Sequence, residues 1–207
     1  MLTLDDIEGL LRRRGGEQYS GEPVTQLEHA LQTAALAEAE HADDQLVTAA
    51  LLHDLGHLVH EMGETPTLRG VDDIHQYIVL PFLRRLFPER VLDAVKLHVD
   101  AKRYLCATRP GYREALSADS QRSLQLQGGV FDAEQVAAFA ALPGAQDAVH
   151  LRLWDDLAKT AGAETPPLSH FIARARRCCI EPPAHLRCGP PEGDRTAWGG
   201  PAPGDVC

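Results

Sequence analysis

The chain has 207 residues, 44% of them apolar and 24% charged, which suffices for one domain with a proper core and is unlike a disordered composition. Its formal charge of −10 excludes a general nucleic-acid binder, which needs clustered positive charge, and bound cations would offset part of it. No apolar run is long enough to cross a bilayer and the start MLTLDDIEGLLRRR is not a signal peptide, so a cytoplasmic protein without a membrane partner is expected.

Apolar periodicity predicts helix almost throughout. Residues 3–13 form a short amphipathic helix that Gly15 and Gly16 end. Residues 25–41 follow, with Thr25 and Glu28 in the spacing of a capping box. A second long helix spans 43–59, with Asp43 or Asp44 as its cap and a nearly all-apolar inner face. The stretch 72–87 contains Pro81, which should bend or split it. Further helices are expected over 88–107, 132–142 and 145–161, and the stretch 164–178 reads as a last one. No stretch alternates at period two, so the fold class is all-α. Beyond residue 180 the chain turns rich in Pro and Gly without apolar period, which divides it into a helical domain, 1–180, and a tail, 181–207, expected to be largely disordered. The five cysteines, Cys106, Cys178, Cys179, Cys188 and Cys207, are odd in number and lack a zinc-knuckle spacing, so free thiols are expected.

One stretch stands out against this apolar background. In LLHDLGH, residues 51–57, a histidine and an aspartate close the most apolar helix, where both are costly to desolvate unless a cation sits there. Other helices must then supply further ligands. His29, His75 and His98 each lie in an apolar helical setting, and so does Asp155 in RLWDDLAK. With His53 and Asp54 they make four imidazoles and two carboxylates, enough for two metals sharing one bridging carboxylate. His41, His60, His150 and His185 read instead as surface or locally satisfied residues.

The order H, HD, H, H, D resembles the HD-domain superfamily, whose members are mostly metal-dependent phosphohydrolases. The fold this implies is an HD-domain helical bundle with a dinuclear site in its core. The stretches QYSGEPVTQLEHALQTAALAE, ALLHDLGHL, GVDDIHQYIVLPFL, LHVDAKRYLCA, SLQLQGG and RLWDDLAK, together about residues 17–160, are similar to the mixed-valent diiron oxygenases that cleave 2-amino-1-hydroxyalkylphosphonates. Myo-inositol oxygenase is a more distant relative with the same ligand logic. The resemblance implies two iron ions, Fe(II) and Fe(III). His29, His53, Asp54 and Asp155 would hold one, and Asp54, His75 and His98 the other. Asp155 is taken over Asp156 because it shares a helical face with Lys159, and Asp156 should face away.

The same resemblance implies a small organophosphonate and dioxygen as reactants. His57, Lys102, Arg152 and Ser120 would bind the phosphonate, with Ser117 as the alternative serine, and Lys159 would also face the substrate. The guanidinium fork and the ammonium suit its oxygens. Tyr19 and Glu22, on the YSGEP loop, would close the site, Glu22 meeting the substrate's ammonium. Tyr19, Glu22 and Lys102 are the candidate catalytic residues. The reaction implied is O2-dependent cleavage of 2-amino-1-hydroxyethylphosphonate to glycine and phosphate. Glu22 and an aromatic content of only 5% favour the primary amine. The alternatives are the N-trimethyl analogue giving glycine betaine, a dinuclear phosphohydrolase that needs no oxygen, and a binding or sensory protein without turnover.

Overall fold

The computed structural model describes residues 2–19, 21–59, 70 and 74–180. Side-chain caps set several of the helix starts. Thr3 opens α1 (Leu4–Arg14) through a capping box with Asp6, and Thr25 opens α2 (Gln26–Ala39) through one with Glu28, as predicted. Asp43 caps α3 (Asp44–Leu52) by accepting from the Leu46 amide. After the short α4 (Leu55–Val59), α5 (His75–Ile78) and α6 (Leu80–Leu83), Pro88 precedes the longest helix, α7 (Glu89–Thr108). Then come α8 (Tyr112–Ala115), α9 (Ala118–Leu126), α10 (Ala133–Ala140), α11 (Ala145–Leu157) and α12 (Leu168–Cys178). Among the described residues the β-type pairing is a single isolated bridge, Gln18 with Thr25, so the all-α expectation stands. No helix among them is long and apolar enough to cross a membrane.

The architecture is a helical bundle with α3 at its centre, packed by α2, α7 and α12, while α11 lies along α7 and against α2. Leu46, Val47, Ala49, Ala50, Leu51 and Leu52 of α3 are all buried and join Val91, Leu92 and Val95 of α7 and Phe171 and Ile172 of α12 in the main core. Burial of each large aliphatic side chain contributes about 1.5–3 kcal/mol, which lets this core carry polar groups that the bundle encloses. Cys106, Cys178 and Cys179 are free thiols, as expected, and the tail 181–207 with Cys188 and Cys207 lies outside the described residues.

Two predicted helices differ, a third divides at Pro81 as expected, and two short helices had no predicted counterpart. The helix expected over 43–59 breaks after Leu52, and α4 starts beyond a turn at His53 and Asp54 in which the His57 amide donates to the Asp54 carbonyl at 3.0 Å. Both ligand candidates thereby leave regular helix. The Pro81 helix splits into α5 and α6, with Pro81 in the first turn of α6 where its missing N–H costs nothing. The helix expected to reach 161 ends at Leu157, because the Ala158 carbonyl turns aside to accept from His29. Lys159 therefore does not share a helical face with Asp155. Short α8 and α9 carry too little apolar period to be predicted. Among the residues of α9 only Ser120 and Leu124 are buried.

Candidate metal centre

Five elements aim their polar side chains at one point between α2, α3, α5, α7 and α11. His29 comes from α2, His53 and Asp54 from the turn between α3 and α4, His75 from the start of α5, His98 from α7 and Asp155 from α11. All six are buried. Gly56 makes part of this possible: a Cβ there would lie 2.2 Å from the His75 carbonyl oxygen, so only glycine lets α4 press against that backbone. Ile74 precedes His75 with a left-handed backbone at φ +43°, a conformation costing a β-branched residue about 1–3 kcal/mol.

Asp54 sits in the middle. Its Oδ2 lies 3.3 Å from His53 Nε2 and 3.6 Å from His29 Nε2, while its Oδ1 lies 3.2 Å from His75 Nε2 and 3.6 Å from His98 Nε2. Each carboxylate oxygen thus faces its own pair of imidazoles. The Nε2 atoms within each pair approach to 3.3 Å for His29 and His53 and to 3.1 Å for His75 and His98. Asp155 adds an oxygen 3.3 Å from His29 Nε2.

Backbone carbonyls fix three of the rings. His29 Nδ1 donates to the Ala158 carbonyl at 2.9 Å, His53 Nδ1 to Ala50 at 2.9 Å and His98 Nδ1 to Val95 at 2.6 Å. In a neutral ring the Nε2 lone pair then points inward. Lone pairs at such separations repel unless a proton or a cation lies between them. Asp54 Oδ1 and Asp155 Oδ1 are also buried with no hydrogen-bond partner, at a cost of about 1–3 kcal/mol each when left unsatisfied. A cation answers both defects. Two groups of metal-ligating atoms are close enough to share an ion, His29 with His53 and Asp54, and Asp54 with His75 and His98.

The electrostatics keep both carboxylates ionised and, against the effect of burial, Asp54 raises His53, so a proton is favoured on that ring where no cation takes its place. Burial works against ionised Asp54, yet the His53 imidazole beside it holds it well below the usual carboxylate range. Asp155 is held down against burial by Arg152. Burial, with His53 and His75 nearby, pushes His98 far towards its neutral form.

Of the sequence-predicted substrate residues, Tyr19, His57 and Arg152 contact the cluster directly. Tyr19 stacks on His29 with ring centroids 4.0 Å apart, and its phenol is kept protonated by burial and by the carboxylates of Asp54 and Asp155. His57 stacks on His75 and reaches Asp54 at 3.8 Å. Lys102 is 2% exposed and donates to Ser123 Oγ at 2.7 Å; burial and the nearby Arg152 pull its ammonium down to about 7. Glu22 does not stand open: its carboxylate pairs with Lys159 Nζ at 3.1 Å, and that ammonium also reaches Ser117 Oγ at 3.4 Å. Ser120 Oγ lies 3.5 Å from Arg152 Nη2. The Nε and Nη2 edge of Arg152 faces Asp156, so the fork expected to hold a phosphonate is already engaged there. Asp156 points away from the metal cluster, as expected, but onto Arg152 and Tyr112 rather than into solvent. Ser123, Tyr112 and the Ala158 carbonyl have no distinguishing mark in the sequence.

The HD domain model matches residues 27–138, and those residues include the HD pair and all four histidines of the cluster. The chain belongs to the HD-domain family. It is 43% identical over 171 residues to the [1-hydroxy-2-(trimethylamino)ethyl]phosphonate dioxygenase (glycine-betaine-forming) of Leisingera caerulea, covering 83% of this chain and 87% of that protein. It is 42% identical over 164 residues to the hydroxymethylphosphonate dioxygenase of Gimesia maris, covering 79% and 82%. This HD-domain chain is therefore an all-α bundle that encloses two His/Asp clusters suited to a dinuclear metal centre, in a family of metal-dependent, phosphonate-processing enzymes.

Proposed function

We propose that the protein catalyses O2-dependent cleavage of the C–P bond of a 1-hydroxyphosphonate, with [1-hydroxy-2-(trimethylamino)ethyl]phosphonate as substrate and glycine betaine and phosphate as products. The observation that carries the reading is Asp54 between two imidazole pairs, with the buried Arg152 on Asp155 and the buried Lys102 one turn beyond His98. The dioxygenase relatives support oxygen chemistry over hydrolysis. His29, His53, Asp54 and Asp155 would hold one iron and Asp54, His75 and His98 the other, as a mixed Fe(II)/Fe(III) pair. Such donors suit manganese and cobalt as well, so iron is assigned on the strength of the oxygenase relatives. The bound pair supplies Lewis acidity towards the substrate's oxygens and the redox capacity that dioxygen chemistry requires. The carbinol carbon is oxidised to a carboxylate as the C–P bond breaks, dioxygen accepts the electrons, and its oxygen atoms end in the products.

The protein's part is binding and exclusion. Lys102, with the free N–H groups of Arg152 and with His57 and Ser120, meets the phosphonate. Tyr19 and Glu22 shield the far side from water, and the Tyr19 phenol remains a donor because it stays protonated. The head group is a correction to the primary amine expected from the sequence. Glu22 is engaged by Lys159, so a primary ammonium must displace that pairing to reach its carboxylate. A trimethylammonium donates no hydrogen bond and needs only the carboxylate's field. The same ion pair favours a second reading, hydroxymethylphosphonate, which brings no cation at all.

The test is phosphate release by iron-loaded, partly reduced protein from the trimethylated, primary-amine and hydroxymethyl phosphonates, with and without dioxygen. Release only with oxygen, fastest from the trimethylated compound, is the expected result. Release without oxygen would overturn the oxygenase reading in favour of hydrolysis.

A further inference from the structure

Asp156 and Tyr112 take no part in the metal cluster, yet both grip a residue that touches it. Arg152 is 5% exposed. Its Nη1 reaches Asp155 Oδ2 at 2.8 Å, while its Nε lies 3.2 Å from Asp156 Oδ2 and 3.3 Å from Tyr112 Oη. Its Nη2 reaches Asp156 Oδ1, and the Tyr112 hydroxyl donates to Asp156 Oδ2. One edge of the planar guanidinium is thus clamped at two points by a single carboxylate, which leaves the Nη1 end directed at Asp155.

The placement follows from spacing. Asp155 and Asp156 stand three and four residues after Arg152, the two helical offsets one long side chain can reach together. Tyr112 arrives from a different element, α8, entered through Gly111 at φ +78°. It therefore ties the clamp to a second part of the bundle. An arginine held by Asp155 alone keeps several rotatable bonds, and a bidentate partner removes that freedom. Tyr112 and Asp156 also line a surface cleft of about 540 Å³ with Leu116 and Leu153, so the far side of the Asp156 carboxylate stays in reach of water.

We propose that Asp156 and Tyr112 are positioning residues that orient Arg152, so that its guanidinium steadies Asp155 at the metal cluster and presents its remaining N–H groups to the anionic end of the ligand. The second half of this statement rests on the function proposed above. The first half does not.

The experiment compares full-length wild type with Asp156→Asn, Asp156→Glu, Tyr112→Phe, Arg152→Lys and the double variant Asp156→Asn/Arg152→Lys. Three quantities are read: the visible spectrum and affinity on titration with Co(II), the affinity of metal-loaded protein for inorganic phosphate by calorimetry, and the melting temperature. Loss of a charge-assisted contact predicts that Asp156→Asn weakens phosphate binding about tenfold or more and alters the Co(II) spectrum. Tyr112→Phe should act in the same direction more weakly, and Asp156→Glu should restore part of the loss. In the Arg152→Lys background Asp156→Asn should add little.

An undiminished loss in that background overturns the proposal, as do wild-type affinities and spectra in both Asp156→Asn and Tyr112→Phe. If Asp156→Asn does not fold, Tyr112→Phe, which removes one oxygen, carries the same comparison. Coupled losses in a protein that leaves every hydroxyphosphonate intact would uphold the positioning role and sink the proposed reaction alone.

Discussion

The two halves of the centre share one aspartate and are otherwise built differently. His29 and His53 are fully buried, both rings are anchored to backbone carbonyls, and Asp155 with its Arg152 partner closes that half. His75 instead starts a four-residue helix behind a left-handed Ile74, keeps 7% exposure and leans on the partly exposed His57. The first half rests on α2, α11 and the turn that ends α3, and the second on the long α7 together with the short α5. The cations differ in the same way: the carboxylates of Asp155 and Asp156 hold Arg152 charged against burial, whereas Lys102, one turn beyond His98, is pulled down to about 7. The difference assigns firm retention to the first half and adjustability to the second.

His53→Ala should have the largest effect, removing the anchor of the firm half and, with it, both metals. Metal analysis that still finds two ions per chain would break the comparison outright. Gly56→Ala should be more selective, because the three atoms nearest to its Cβ all belong to the His75 backbone. About one ion per chain should remain, with a destabilisation of about 1–3 kcal/mol in denaturant melts. Equal loss from both clusters would show that the halves do not differ in the way described.

Lys102 sharpens the comparison through pH. An ammonium lowered to about 7 is largely neutral at pH 8, and a bound dianion favours its charged form, so phosphate binding there should take up protons, less so below pH 6. Calorimetry in buffers of different ionisation enthalpy measures this uptake, which Lys102→Met should abolish. A smaller effect is expected at the rim: Lys159→Met frees Glu22 and should raise kcat/KM several-fold for cationic over neutral phosphonates, read by direct competition. The smallest concerns the tail. Truncation after Ile180, whose amide donates to the Leu86 carbonyl, should leave both metals and the melting temperature unchanged.

What could be read in the sequence follows the same division. Six polar residues in apolar helical runs stood out because burial there is costly, and the structure brings all six together. The capping boxes at Thr3 and Thr25 involve residues close in sequence, and Pro81 acts through its own ring, so Thr25 and Pro81 were readable as local signals. The end of α11 depends on a hydrogen bond from His29, 129 residues away, and no local pattern encodes it. The pairings of Glu22 with Lys159, Lys102 with Ser123 and Asp156 with Tyr112 were hidden for the same reason. Glu22, Lys102 and Lys159 were singled out as substrate-facing, but only tertiary packing supplies the partner that each one takes.

Asp54 has a consequence for how the centre fills. Two divalent ions bring four positive charges, and the carboxylates that face them, Asp54 and Asp155, bring two negative ones, the imidazoles being neutral. A centre loaded with two divalent ions therefore carries a surplus of about two charges in a medium of low polarisability, and the Fe(II)/Fe(III) pair one more, which a doubly charged oxyanion offsets. Occupancy of the second ion and occupancy by the anion are then reciprocal: each tightens the other by the same factor. The number of metals found in the purified protein becomes a property of its buffer, higher in phosphate than in a buffer without oxyanions.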